Sequence, residues 1–217
     1  MPLFRKSHIS ANTFLGMWKI EEEPEHLKNQ LQLSPAENEY YESLRSELRK
    51  KHWLSYRSIL TKLMDNGSPE LIYDKYGKPH PVNGDYHLSV THSGAFSAAI
   101  VSFEGPVGID IEMMKDRVER VKEKFLSSEE CASIGIVNRL EKLYICWGAK
   151  ESLYKLYGKP EVEFARDIRL DSFEYDPTDK GECSAQMTTP EGTRNYLIHY
   201  EKIEDYMLVY TIEGNRQ

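Results

Sequence analysis

What most limits the fold of this chain is that a strong helix start occurs twice. In Ser34-Pro35-Ala36-Glu37, serine can cap the helix and proline suits its first position. The glutamate three residues on can return a hydrogen bond to the cap. Ser127-Ser128-Glu129-Glu130 repeats this box at an offset of 93. At the same offset, WLSYRSILTKLM from Trp53 lies over CWGAKESLYKLY from Cys146, pairing Arg57 with Lys150, Leu60 with Leu153 and Lys62 with Lys155. IVSFEG ending at Gly105 resembles VYTIEG ending at Gly214, now offset by 109. A repeat of about 100 residues predicts an α+β fold of two similar, pseudo-duplicated lobes. Each lobe is a small, mostly antiparallel sheet with one long packed helix. The lobes are expected at residues 1–105 and 106–217, with a ligand site between them.

Local patterns fill in the lobes. Helical periodicity runs from Ser34, with a break, to about Met64, and Asp65-Asn66-Gly67-Ser68-Pro69 stops it. Gly77-Lys78-Pro79-His80-Pro81 reads as a rigid extended loop. His87 to Ser102 reads as two strands around a turn at Ser93-Gly94, and Val107 to Glu112 as another short strand. A long helix is predicted from about Leu140 to Tyr157, ended by Gly158-Lys159-Pro160. Beyond Val162, DIRLDSFEY, AQMTT, NYLIHYE and YMLVYTIEG read as strands.

Composition excludes several classes. The net charge of −7 argues against a general nucleic-acid binder, although Arg49-Lys50-Lys51-His52 concentrates positive charge locally. Three widely spaced cysteines give neither a disulfide framework nor a zinc site. Residues 1–18 lack the apolar core of a signal peptide, and no run approaches a membrane span. A cytoplasmic protein with no membrane or nucleic-acid partner is therefore expected.

Chemistry concentrates in two places. Asp110 and Glu112 are two apart on a predicted strand and project from one face, with Val107, Ile109 and Ile111 buried on the other. Adjacent carboxylates repel and call for a cation. Magnesium suits them, with manganese as second choice, because it binds one or two carboxylates and completes its shell with phosphate and water. On the long helix, Leu143, Tyr144, Trp147 and Tyr154 form an apolar stripe that Lys150 and Glu151 interrupt. A metal shared with Asp110 and Glu112 would explain Glu151, and Lys150 and Lys155 could face phosphate oxygens. An i, i+4 pair between Glu151 and Lys155 is the plainer explanation. Thr91-His92-Ser93 at a strand end is a candidate phosphate grip. Arg57, on a helix with Lys50 and Lys51 nearby, offers bidentate phosphate binding.

VGIDIE (107–112) followed by WGAKES (147–152) resembles the paired signature of the 4′-phosphopantetheinyl transferase superfamily. GKPH (77–80), VTHSG (90–94) and KHWLSYRSIL (51–60) match that family's other blocks in order. The resemblance covers roughly residues 45–160, and the two lobes and the length suit the larger, surfactin-synthetase-type branch, which implies a monomer. It implies that Asp110, Glu112 and Glu151 hold a divalent metal on the coenzyme A pyrophosphate. His92, Lys150 and Lys155 would meet phosphates, with Thr91 nearby. Arg57 and Lys50 or Lys51 would meet the 3′-phosphate, and Lys78 and Pro79 would border the adenine. Glu151 would be the base, with Lys155 and His92 assisting catalysis. Ile111 departs from the pattern by offering the metal no ligand, and SVTHS departs from the usual serine-rich block. Glu130 matches a family glutamate that assists the base, but its place in a capping box gives it a structural role.

The implied reaction moves phosphopantetheine from coenzyme A to a serine of an apo carrier protein, acyl or peptidyl. The mixed run Lys115 to Lys124, with Arg117 and Arg120, is a candidate docking surface, with a solvated helix face as the plainer reading. The competing readings are a coenzyme A or carrier-binding module without catalysis and a metal-dependent nucleotide hydrolase.

Overall fold

A computed structural model describes residues 3–64, 67 and 69–214. The chain divides into two compact units, Met1–Glu104 and Gly105–Gln217. Each unit is a helix laid on an antiparallel sheet.

The first unit opens with a hairpin of β1 (Arg5–Ser10) and β2 (Thr13–Lys19). It continues through α1 (Pro24–Lys28), α2 (Pro35–Ser43) and α3 (Glu47–Leu63). A small hairpin of β3 (Leu71–Tyr73) and β4 (Pro79–Pro81) follows, then β5 (His87–Ser93) and β6 (Phe96–Ser102). The main sheet has the order β1-β2-β6-β5. In α2 the capping box forms as read: Glu37 N–H donates to Ser34 Oγ at 3.3 Å, and Ser34 N–H donates to a Glu37 carboxylate oxygen at 2.8 Å. The expected helix break lies between Ser43 and Glu47, where Leu44 turns extended and Ser46 caps α3. Leu27, Tyr41, Leu54, Ile59 and Leu60 form the core with Trp18 of β2. The helix stop read at Asp65, Asn66 and Ser68 lies outside the described residues.

The second unit opens with β7 (Val107–Met113) and two short 3-10 turns at Asp116–Arg120 and Lys122–Lys124. Then come α4 (Ser128–Ser133), α5 (Arg139–Tyr157) and α6 (Phe164–Asp167). Its strands β8 (Ile168–Leu170), β9 (Lys180–Thr189), β10 (Gly192–Ile203) and β11 (Tyr206–Ile212) complete a sheet of order β7-β11-β10-β9-β8. Gly158 ends α5 in the left-handed region, at φ 75°.

The repeat is visible in topology. In the first unit, β2 leads to α3, and the hairpin β5–β6 returns so that β6 pairs with β2. In the second, β7 leads to α5, and the hairpin β10–β11 returns so that β11 pairs with β7. A glycine lies in each of β2 and β7 where the helix presses on the sheet. A Cβ on Gly16 would sit 2.4 Å from Cγ2 of Ile59 in α3, and one on Gly108 would sit 1.8 Å from the backbone oxygen of Ser152 in α5. The obstacle to Gly16 is a side-chain methyl rather than backbone, so Gly16→Ala is expected to cost about 1–3 kcal/mol of urea-measured stability. A loss below about 0.5 kcal/mol, the range of ordinary surface changes, would show that α3 does not bear on β2 there.

Two segments differ from the sequence reading. Residues 5–19 were assigned no element, yet they form the hairpin β1–β2, whose first strand alternates half-buried and exposed residues. DIRLDSFEY is a strand only over Ile168–Leu170, after which Asp171–Tyr175 runs as loop. Strand pairing with β9 stops at Leu170, although Tyr175 still packs in the core.

Candidate active site

The second unit's chemistry is built on the seam between β7 and α5. Gly108, Asp110 and Glu112 share one face of β7 by strand alternation. Because Gly108 lies against the Ser152 backbone, that face is turned toward α5. Gly148 gives α5 a second close approach, since a Cβ there would meet Val209 of β11 at 2.6 Å. Asp110 is only 4% exposed, so the carboxylate face is covered rather than solvated. Val107, Ile109 and Ile111 on the opposite face are fully buried as well.

Asp110, Glu151 and Lys155 meet on this seam. Lys155 Nζ donates to Asp110 Oδ1 at 2.7 Å and to the Ile109 carbonyl at 3.1 Å. Burial raises Glu151 to a pKa of about 7, helped by the charges of Asp110 and Glu112 and opposed by Lys155. Three carboxylates are thus electrostatically coupled beside one ammonium. Among the described residues, no group of three metal-ligating side chains is drawn close enough to hold an ion. The donor chemistry nevertheless suits a hard divalent cation: oxygen ligands only, and a mutual repulsion that a cation relieves. The Lys155 ammonium is the positive charge that meets Asp110 here.

Glu151 carries a pH signature. Its folded-state pKa lies above the ordinary value near 4.5, so the folded protein holds a proton that the unfolded chain has released. Its contribution to stability therefore falls as pH rises from about 4.5 to about 7 and stays low above that. Glu151→Gln is expected to gain about 1–3 kcal/mol over the parent at pH 8 and little at pH 4.5. Urea midpoints of both proteins across that range would show it; a constant difference at all pH values would exclude it.

Lys150, expected at a phosphate, points the other way. It is 0% exposed, and its three protons go to Glu130 at 2.7 Å, the Phe164 carbonyl at 3.0 Å and the Ile168 carbonyl at 2.7 Å. An ammonium has three donors, and all are used inside the protein. Burial pushes its pKa down while Glu130 pulls it up. Glu130 also caps α4 through Ser127 and accepts from the Leu170 N–H at 3.0 Å. It ties three segments together, the structural role its capping position suggested.

Arg57 repeats this arrangement in the first unit. It is 1% exposed, pairs with the capping glutamate Glu37, donates to the Pro69 carbonyl at 3.3 Å and lies over the Trp53 ring. Arg57 and Lys150 are equivalent in the repeat, and so are their partners Glu37 and Glu130. In both cases the expected phosphate contact gives way to a buried ion pair that fastens the capped helix to the long one.

The remaining candidates in the first unit are more open. His92 is exposed at the end of β5, with its ring stacked on His52 at 4.1 Å. Thr91 is buried on the other face. Lys51 pairs with Glu23 at 3.0 Å, and Lys50 lies 5.0 Å from the Tyr41 ring centre. Lys78 and Pro79 sit half-buried on the β3–β4 hairpin, where burial lowers the Lys78 pKa. The predicted rigid loop is in part this hairpin.

The run Lys115 to Lys124 is not a uniformly solvated face. Val118 is buried, and Glu119 binds both Arg139 and Lys122. Beside it a cavity of about 330 Å³ is lined by Glu112, Arg117, Val118, Val121, Tyr144 and Trp147. Sequence reasoning missed His52, which it saw only as part of a basic run, and missed Gly108 as the residue that turns the carboxylate face inward.

Known proteins resemble this chain over much of its length. Residues 106–211 match the family model of the 4′-phosphopantetheinyl transferase superfamily. A 4′-phosphopantetheinyl transferase of Bacillus subtilis is 32% identical over 139 residues, covering 62% of this chain and 58% of that protein. The 4′-phosphopantetheinyl transferase Sfp of Bacillus subtilis strain 168 is 29% identical over 138 residues, covering 60% of this chain and 58% of Sfp. The 4′-phosphopantetheinyl transferase AcpT of Escherichia coli K12 is 31% identical over 116 residues, covering 51% of this chain and 59% of AcpT. The matches thus span less than two thirds of these relatives.

Proposed function

We propose that this chain, whose residues 106–211 match the family model of the 4′-phosphopantetheinyl transferase superfamily, moves phosphopantetheine from coenzyme A to a serine of an apo carrier protein. The observation that carries this reading is the β7–α5 seam, where Glu151 is raised to about 7 beside Asp110, Glu112 and Lys155. A pure binding module has no use for three mutually repelling carboxylates.

In the reaction, the carrier serine oxygen forms a bond to the β-phosphorus of coenzyme A. The bond from that phosphorus to the bridging oxygen breaks, and adenosine 3′,5′-bisphosphate leaves. Glu151 takes the serine proton. Lys155 spends two donors on Asp110 and the Ile109 carbonyl, which leaves one proton for a phosphate oxygen. His92 meets a phosphate, and Lys78 and Pro79 border the adenine. Asp110, Glu112 and Glu151 would hold a magnesium ion, which neutralises pyrophosphate charge when bound. The three cysteines are free, which supports work in the reducing cytoplasm. Among the described residues, no helix is long and apolar enough to cross a membrane.

The test is product analysis. Coenzyme A, magnesium and a panel of apo acyl and peptidyl carriers are incubated with the protein, with and without a chelator. The bisphosphate should appear one-for-one with modified carrier, and the chelator should stop both. Release of phosphopantetheine into water without carrier modification would instead support the hydrolase.

A further inference from the structure

His52 is a buried polar side chain. It lies on α3 with 6% exposure. Burying an imidazole is unfavourable unless its polar atoms are satisfied. Its Nε2 lies 2.9 Å from the Gly94 carbonyl in the β5–β6 turn. That carbonyl only accepts, so Nε2 carries the proton. The same ring stacks on His92 with centres 4.1 Å apart and planes 13° from parallel. The turn has further anchors. Ile20 N–H donates to the Ala95 carbonyl at 2.7 Å, and Ser55, one turn along α3, lies 2.7 Å from the Ser97 hydroxyl. Ser97 is the register partner of His92. Burial lowers the His52 pKa, which keeps its ring neutral at working pH.

We propose that His52 is a positioning residue for His92: it fixes the turn through the Gly94 carbonyl and the plane of the His92 ring through the stack. His92 then meets a phosphate group of coenzyme A with its orientation already set. This inference rests on the reading of His92 as a phosphate contact.

The two interactions can be separated. His52→Phe keeps the stack and loses the hydrogen bond. His52→Gln keeps a donor within reach of Gly94 and loses the stack. His52→Leu loses both. Calorimetric binding of coenzyme A and steady-state kinetics are measured for these variants, for His92→Ala, and for His52→Leu combined with His92→Ala. His52→Leu should weaken coenzyme A binding and raise its KM roughly three- to ten-fold, the order of one side chain that must be ordered on binding. Its kcat and the KM for carrier should stay within about two-fold. His52→Phe should recover most of the loss. In the His92→Ala background, His52→Leu should add nothing, because both changes act through one ring. The His92 ring-proton resonances should move downfield in the Leu and Gln variants, which remove the shielding stack, and stay upfield in the Phe variant. Equal losses from His52→Leu in both backgrounds would overturn the proposal and leave His92 as a phosphate contact. Unchanged coenzyme A binding in His92→Ala would overturn the underlying reading of His92 and the proposal with it. If His52→Leu does not fold, the Phe and Gln variants decide by the same criteria.

Discussion

Lys150→Met is expected to lower the stability of the protein by about 3–5 kcal/mol, the usual cost of removing one partner from a buried ion pair. Glu130 would keep its bonds to the Ser127 and Leu170 N–H groups but lose the cation 2.7 Å away. The carbonyls of Phe164 and Ile168 would lose a donor as well. Lys150→Met combined with Glu130→Gln should recover part of the loss, because a buried neutral amide costs far less than a buried unpaired carboxylate. Arg57→Met should behave alike in the first unit, where Glu37 is the stranded partner. Urea unfolding of the four proteins measures this. A Lys150 that gripped a phosphate would give the opposite pattern, with parental stability and a raised KM for coenzyme A. Stability within about 1 kcal/mol of the parent, the range of an exposed pair, would sink the buried-pair account.

Asp110→Asn should do the reverse: abolish activity and spare the fold. Asp110 holds Lys155 at 2.7 Å and repels Glu151. The substitution removes an attraction and a repulsion of similar kind, so stability should stay within about 1 kcal/mol. Transfer should fall at least about 10²- to 10³-fold, the order seen when a single electrostatic element of an active site is removed. The Glu151 carboxyl should also titrate lower, which carboxylate NMR signals report. Transfer at a rate near the parent's would rule out a role for Asp110. A loss of activity that only tracks unfolding would make Asp110 structural.

The repeat was the most legible part of the fold, because its signals are local. A capping box needs only a serine and a glutamate three apart, and both boxes form. Alternation located β7 and sorted its two faces, with Val107, Ile109 and Ile111 buried as read. Period two says which residues share a side, not which side a helix will cover, and only Gly108 in contact with Ser152 decides that. The pairing of Arg57 with Lys150 was visible at the offset of 93, and so were Glu37 and Glu130. That the two cations would reach the two capping glutamates depends on how α3 and α5 pack, which spacing along the chain does not encode. His52 was hidden for the same reason: its partner His92 is distant in sequence, and the stack exists only where α3 crosses the β5–β6 turn. The carboxylates Asp110, Glu112 and Glu151 stand out in the sequence because repelling charges in an apolar pattern are anomalous in any fold.

The central claim is transfer to a carrier, and intact-protein mass spectrometry of that carrier tests it most directly. Several apo carriers are incubated with the parent protein, coenzyme A and magnesium, and with Asp110→Asn as control. The account predicts that at least one carrier gains the mass of a single phosphopantetheine group, on its serine, with the parent protein only. Carriers of unchanged mass while coenzyme A is bound or cleaved would contradict it.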